Sequence, residues 1–186
     1  MRIRVAWRYS LNLTGSVLKW LAVPLCFPLF VAIYYSEPVL PFLLTIATTI
    51  VTGELLEQLD GDEDLGPRET FLMVALTWLL VAVISALPFV IAGRGTIAHP
   101  INAMFESMSG ITTTGATVLR EFDIHARSIM MWRQLTQWLG GLGILILATA
   151  ILSRLSVSGA QLMETETQYD SVNKLTPHIK DTAQLI

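Results

Sequence analysis

The segment Thr70–Gly93 contains no charged residue. A bilayer hydrocarbon core of roughly 30 Å takes about 20 apolar residues in a helix, so this segment reads as a membrane span, with Pro88 near its far end. It is not alone. Residues 20–36, 38–53 and 134–153 are also uncharged. Of the 186 residues 53% are hydrophobic and 15% charged, against about 25% charged in an ordinary soluble domain. So many apolar blocks cannot all be hidden in one small globule, which makes this an all-α membrane protein. Disorder, collagen and coiled coil are excluded.

The block lengths predict four crossings. The first runs from about Val17 to Tyr35, with Lys19 snorkelling to the interface and Tyr34 and Tyr35 in an aromatic belt. The second covers Pro38–Gly53 and needs Glu54–Glu57 as a polar extension. Thr70–Gly93 is the third. The fourth is Gln134–Ser153, opening with Trp132 and Trp138 at an interface and closing at Arg154. Basic residues orient the chain: Arg2, Arg4, Arg8 and Lys19 precede the first span and none lies between the first and second, so a cytoplasmic N-terminus is expected. The first block is of full span length and lacks a small-residue cleavage site, so it is no cleaved signal sequence.

Between the third and fourth spans, Gly95–Phe105 and Ser107–Leu119 are uncharged, but too short and too rich in Gly, Ser and Thr to cross. Irregular backbone at membrane depth is tolerated only where protein buries it or water lines it, so a re-entrant loop is expected. Its first half, about Pro100–Ser109, makes a helix of roughly 15 Å. The next residues, Gly110-Ile111-Thr112-Thr113-Thr114-Gly115-Ala116-Thr117, can replace the water of a cation with backbone carbonyl oxygens. Three threonines favour extended backbone, and Gly115 can take a positive φ and let neighbouring carbonyls point the same way. The preceding helix would aim its negative end at the same place. A Ser/Thr/Gly-rich turn is the blander alternative. Glu106 can ligate ions or brace the loop by accepting backbone N–H bonds, with bracing the commoner use; Asn102 has the same two roles open.

The runs SMSGITTTGATVL, WRQLTQWLGGLGILILATAIL and KLTPHIKDTA, in that order, resemble the first pore repeat of the TrkH family. These are membrane subunits of bacterial Trk potassium uptake systems, in the Trk/Ktr/HKT superfamily. The resemblance covers the whole chain if residues 1–66 are the family's extra N-terminal helix pair. The repeat of helix, pore helix, filter loop and helix falls on about 70–93, 100–110, 111–117 and 134–153, within a unit 67–158, and 159–186 is left as a cytoplasmic connector.

The resemblance implies potassium as the transported ion and Gly115 as the filter glycine. It makes the Thr113 and Thr114 carbonyls potassium ligands with Thr112 close by; Asn102, Glu106 and Gly110 are expected to support the filter. It implies a bacterial inner membrane location, contact with lipid, and a cytosolic nucleotide-binding regulatory ring of TrkA type on the fourth helix and cytoplasmic loops. One filter glycine rather than two suggests weaker discrimination against sodium. One departure is large: the family surrounds its pore with four repeats, and this sequence holds one. It ends inside what reads as a new helix, with Thr176 as N-cap and Pro177 at its first position, so a truncated chain is expected.

Three functions compete: a pore element completed by the remaining repeats, a homotetrameric cation channel built from copies of the chain, and a non-conducting membrane protein. An enzyme is not expected, because no span carries a nucleophile with a base. His99, His125 and His178 have no ligand spacing, Cys26 has no partner, and a net charge of −3 offers nothing to nucleic acid. Gly140, Gly141 and Gly143 suggest close helix packing or a hinge. The acidic run Asp60–Asp64 reads as a solvated loop, Arg154 as an anchor, and Met104, Met108, Met130 and Met131 as packing residues.

Overall fold

The structure is a computed structural model that describes residues 7–59 and 67–148. The described residues are helical, without strands. The acidic run Asp60–Asp64, Arg154, the connector 159–186 with His178, and the helix expected from Thr176 lie outside them.

The first span begins earlier than its hydropathy predicts. Helix α1 (Trp7–Trp20) and helix α2 (Ala22–Tyr34) are separated only by a turn at Leu21, and together form a 28-residue span. The added turns stay helical because their polar side faces protein. Ser10, Thr14 and Gly15 are buried. The Asn12 amide donates to the Glu57 carbonyl at 2.5 Å and the Ser16 hydroxyl to the Glu57 carboxylate at 2.6 Å. Lys19 does not snorkel alone: its ammonium pairs with Glu54 at 3.0 Å and Glu57 at 2.5 Å. Paired charges at a span's end are tolerated where single ones are expelled.

Helix α3 (Leu40–Glu57) returns beside them and includes the expected polar extension. A Cβ added to Gly15 would lie 2.7 Å from the Gly53 carbonyl oxygen, so the two glycines set how closely α1 approaches α3. Helix α4 (Pro67–Ala92) is followed by Gly93 at φ +63, a left-handed position after a helix end that glycine occupies without cost. Within α4, residues 70–92 form the apolar span, and with Trp7–Tyr34 and Leu40–Glu57 they make three helices long and apolar enough to cross a membrane among the described residues.

A short 3-10 turn (Thr96–Ala98) leads into helix α5 (Pro100–Ile111), whose proline lies in the first turn, where no backbone donor is needed. Its 12 residues reach about 18 Å, well short of a membrane. Helix α6 spans 127–148 and starts seven residues before the expected Gln134. Arg127 and Arg133 can lie in it because each has a partner, described below. Trp132 is fully buried rather than interfacial, and its indole donates to the Ser85 carbonyl at 2.9 Å, fastening α6 to α4. It joins Leu18, Leu25, Phe42, Phe89, Ile97 and Ala103 in the apolar core. Gly141 closes the compact unit to which every contact described below belongs.

Candidate ion-binding loop

Helix α5 ends in a full Schellman turn. The Thr113 N–H donates to the Gly110 carbonyl at 2.9 Å and the Thr114 N–H to the Ser109 carbonyl at 3.0 Å. The left-handed residue of such a turn is ordinarily glycine, but here it is Thr113, at φ +57. A β-branched residue there is strained, by about 1–2 kcal/mol. The three threonines are therefore not a run of extended backbone as their type predicts. Thr112, at φ −82 and ψ 3, still belongs to the helix end, and the turn uses the donors of Thr112, Thr113 and Thr114 to close α5.

The consequence lies on the acceptor side. Residues Thr112–Thr117 are exposed. Among the described residues no group donates to the carbonyl oxygens of Thr112, Thr113, Thr114 or Gly115, whereas those of Met108, Ser109, Gly110 and Ala116 are all engaged. Gly115 takes φ +75, the conformation expected of it. The hydroxyls of Thr112 and Thr114 lie 2.8 Å apart, tying the two ends of the threonine run together.

Behind the loop sits Glu106, 1% exposed. Its carboxylate accepts the Thr117 hydroxyl at 3.0 Å and the Val118 N–H at 3.0 Å, and pairs with the Arg133 guanidinium at 2.5 Å. With those bonds its oxygens are turned into protein, behind the exposed carbonyls. Asn102 makes no hydrogen bond to the exposed loop among the described residues. It donates to the Thr96 carbonyl at 2.9 Å, and the Thr96 hydroxyl donates to the Val118 carbonyl at 2.9 Å. The chain leaving the loop is thus tied back to the turn that precedes α5.

Helix α6 supplies the wall. Arg133, Thr136, Gln137, Gly140 and Gly141 fall on one helical stripe. A Cβ on Gly110 would collide with the Thr136 hydroxyl, and one on Gly140 would collide with the Ile111 carbonyl. Gly141 lies against the Thr113 methyl, and the Gln137 amide nitrogen lies against Gly115. The close-packing reading of the glycines describes Gly140. On α4, the Ala82 carbonyl accepts the Ser107 hydroxyl at 2.6 Å, pinning α5 from the other side.

The sequence reading missed Arg133, Thr117, Thr96 and Gln137. Arg133 carried a usable signal, since an arginine one turn inside an apolar helix must find an anion, and Glu106 is the acid within the neighbouring uncharged segments. The others are recognisable only once the loop's path is known.

Outside the spans, His125 sits beside Gly95, whose φ of +61 leaves no room for a Cβ against the imidazole. Burial, followed by the charge of Arg94, lowers the His125 pKa, against weaker opposition from Glu106 and Glu121. Among the described residues no three His, Cys, Asp or Glu side chains gather to hold a metal ion.

Span-length helices with a half-length helix and an oxygen-rich loop folded among them define a polytopic all-α membrane protein. A profile described as TrkH, a cation transport protein, matches residues 40–186, and the chain belongs to that family. It is 35% identical over 183 residues to the Trk system potassium uptake protein TrkH of Halomonas elongata, covering 96% of this chain and 38% of that protein. The Salmonella typhimurium TrkH is 42% identical over 124 residues, with 66% of this chain and 26% of the relative covered. The Escherichia coli potassium uptake protein TrkG is 34% identical over 186 residues, covering 98% and 36%. The chain therefore spans well under half the length of these relatives, all named for transport and none for catalysis.

Proposed function

We propose that the chain contributes one repeat of a potassium-conducting pore in a Trk-type uptake system, with residues 112–115 as its share of the selectivity filter. The observation that carries this reading is the run of exposed residues Thr112, Thr113, Thr114 and Gly115, whose carbonyl oxygens no donor among the described residues claims. Carbonyl oxygens that no protein donor claims are left free to replace the water of a cation. In this reading the Thr113 and Thr114 carbonyls bind potassium, Thr112 lies close by, and Gly115 supplies the turn. Glu106, Asn102 and Gly110 hold the loop from behind. The names of the relatives support potassium as the ion.

The remaining quarters of the pore come from further repeats or from copies of this chain. Residues 1–66 form the N-terminal helix pair, 67–158 the repeat and 159–186 a connector. The protein lies in the bacterial inner membrane, in contact with lipid and with its N-terminus cytoplasmic. A TrkA-type nucleotide-binding subunit meets it on that side. The test is rubidium uptake into liposomes carrying the protein, with Gly115→Ser as the matched variant and a crosslinking ladder on the same sample. Uptake lost in the variant is expected, because any side chain at φ +75 is strained. Uptake that survives Gly115→Ser would overturn the filter assignment. A tetramer band accompanying uptake points to a four-fold pore, and a monomer without uptake to a pore completed by other repeats.

A further inference from the structure

We infer that Arg133 is a positioning residue of the filter, fixing through the Glu106 carboxylate where residues 116–119 leave the loop. This rests on the filter reading above and adds to it a residue of α6 that acts through another side chain. The two ends of the loop are held differently. The incoming end is closed by backbone, with the Thr113 N–H on the Gly110 carbonyl and the Thr114 N–H on the Ser109 carbonyl. Gly115 then takes φ +75, and a glycine imposes no preferred direction, so the path beyond it is set by whatever holds residues 116–119. Among the described residues no backbone–backbone hydrogen bond reaches them.

Side chains hold them instead. The Ser109 hydroxyl donates to the Ala116 carbonyl at 2.6 Å and the Thr96 hydroxyl to the Val118 carbonyl at 2.9 Å. The bonded donors of this limb lead to one carboxylate. The Thr117 hydroxyl and the Val118 N–H go to Glu106, and the Leu119 N–H goes to the Thr117 hydroxyl oxygen at 3.0 Å. The Thr117 hydroxyl lies 3.0 Å from both carboxylate oxygens and so does not choose between them. Arg133 does: its Nε meets Oε1 at 2.5 Å and leaves Oε2 to the Val118 N–H at 3.0 Å. Arg133 is itself fixed to the core, through the neighbouring Trp132 indole on the Ser85 carbonyl and the Thr136 hydroxyl on its own carbonyl at 2.7 Å. A filter tells cations apart by how many oxygens reach the bare ion and how firmly they are held. A limb that shifts lets the Thr114 and Gly115 carbonyls follow a smaller ion; the relay from α6 through Arg133 and Glu106 prevents this.

Arg133→Lys keeps the charge that balances Glu106 but carries its nitrogen one atom further along the stem, on a freely rotating bond. Amide hydrogen exchange of the purified protein in potassium-free buffer reads the limb without any transport. One lost hydrogen bond speeds exchange about five-fold, and Val118 and Leu119 are expected to exchange that much faster in Arg133→Lys while amides in α4 stay at the wild-type rate. The ratio of rubidium to sodium uptake is expected to fall several-fold. Wild-type exchange at both residues would mean that Arg133 only balances charge, and would overturn the inference even if Gly115→Ser abolishes uptake. Faster exchange with an unchanged uptake ratio would overturn it too, leaving a brace with no part in selectivity. If α4 also loosens, the double variant Glu106→Gln with Arg133→Gln, which buries no charge, is read by the same criteria. Where the wild-type protein takes up no rubidium on its own, exchange alone decides. Faster exchange in a protein whose uptake ignores Gly115→Ser would refute the filter reading while Arg133 still sets the limb.

Discussion

The Glu37 carboxylate, in the link between α2 and α3, accepts the backbone N–H of Arg127 at 2.8 Å, ninety residues further along the chain. A second oxygen takes the Ser128 N–H at 2.9 Å, and the Arg127 guanidinium lies over the Tyr35 ring at 4.4 Å. Two orphan donors at the start of α6 are thereby satisfied by the N-terminal hairpin rather than by a local cap. A carboxylate at a helix N-terminus also meets the positive end of its dipole. Removing it in Glu37→Ala is expected to destabilise the protein by about 1 kcal/mol, as for other N-caps. Thermal unfolding in detergent reads this directly, and an unchanged midpoint would mean that water replaces the cap at no cost.

Glu37 also makes part of the stability depend on pH. Burial alone would raise its carboxyl, but hydrogen bonds from Ser128 and Arg127 together with the Arg127 charge outweigh it and hold the pKa below the usual glutamate value. A lowered folded-state pKa gives stability that is present above the unfolded value and lost as pH falls through the folded one. His125 acts earlier in an acid titration. Its folded pKa is depressed by burial and Arg94, so the unfolded chain binds a proton first, and stability falls as pH drops from about 6.5. Acid unfolding is expected to start with a shallow limb near pH 6 that His125→Gln flattens, followed by a second below pH 4.5 that Glu37→Gln flattens. A titration with the same first limb in His125→Gln would reject the assignment.

The Glu106–Arg133 pair is buried on both sides, so its two members are not equivalent to a surface pair. Taking away Arg133 leaves a carboxylate without its cation, at a cost of about 3–5 kcal/mol. Arg133→Gln is therefore expected to lower the unfolding midpoint sharply, and the double variant Glu106→Gln with Arg133→Gln to recover part of the loss. Thermal unfolding of the two singles and the double completes the cycle, and simple additivity would mean the pair is not coupled.

Much of this architecture is legible in the sequence because lipid forces uncharged blocks of span length: α3, α4 and the short α5 fall close to where their composition puts them. The departures share one cause. Lys19 is expected at the interface and the fourth span only from Gln134, beyond Arg133, since a lone charge is expelled from a membrane. Lys19 and Arg133 lie inside helices because acids from elsewhere in the chain meet them, Glu54 and Glu57 for Lys19 and Glu106 for Arg133, while Arg127 opens α6 with its guanidinium over the Tyr35 ring. Pairings across such separations leave no local pattern. The same limit hid the backbone of the threonine run, where residue type favours extension but the Schellman closure of α5 imposes a left-handed Thr113.

That residue yields a prediction of opposite sign to the others. Glycine adopts φ +57 without the clash between Cβ and carbonyl that threonine suffers. Thr113→Gly is expected to raise stability by about 1 kcal/mol, partly offset by the lost methyl contact with Gly141. A higher unfolding midpoint combined with altered rubidium uptake would separate the strain from the function it serves, while a lower midpoint would show that the methyl contact outweighs it.

Gly140 has no such latitude. A Cβ there would run into the carbonyl oxygen, carbonyl carbon and Cα of Ile111, and all three are backbone atoms that no rotamer change can move. Either α6 retreats from the end of α5 or the Schellman turn is pushed outward. Overpacking of this kind typically costs about 1–3 kcal/mol, and here the displaced atoms carry the loop. Gly140→Ala is expected to cost at least that much in thermal unfolding. It should also speed amide exchange at Thr113 and Thr114, whose donors close the turn. Gly141→Ala is the control: its Cβ would meet only the Thr113 methyl, at 3.9 Å, an ordinary contact. Equal behaviour of the two alanine variants would mean that α6 slides freely along α5 and does not fix the loop.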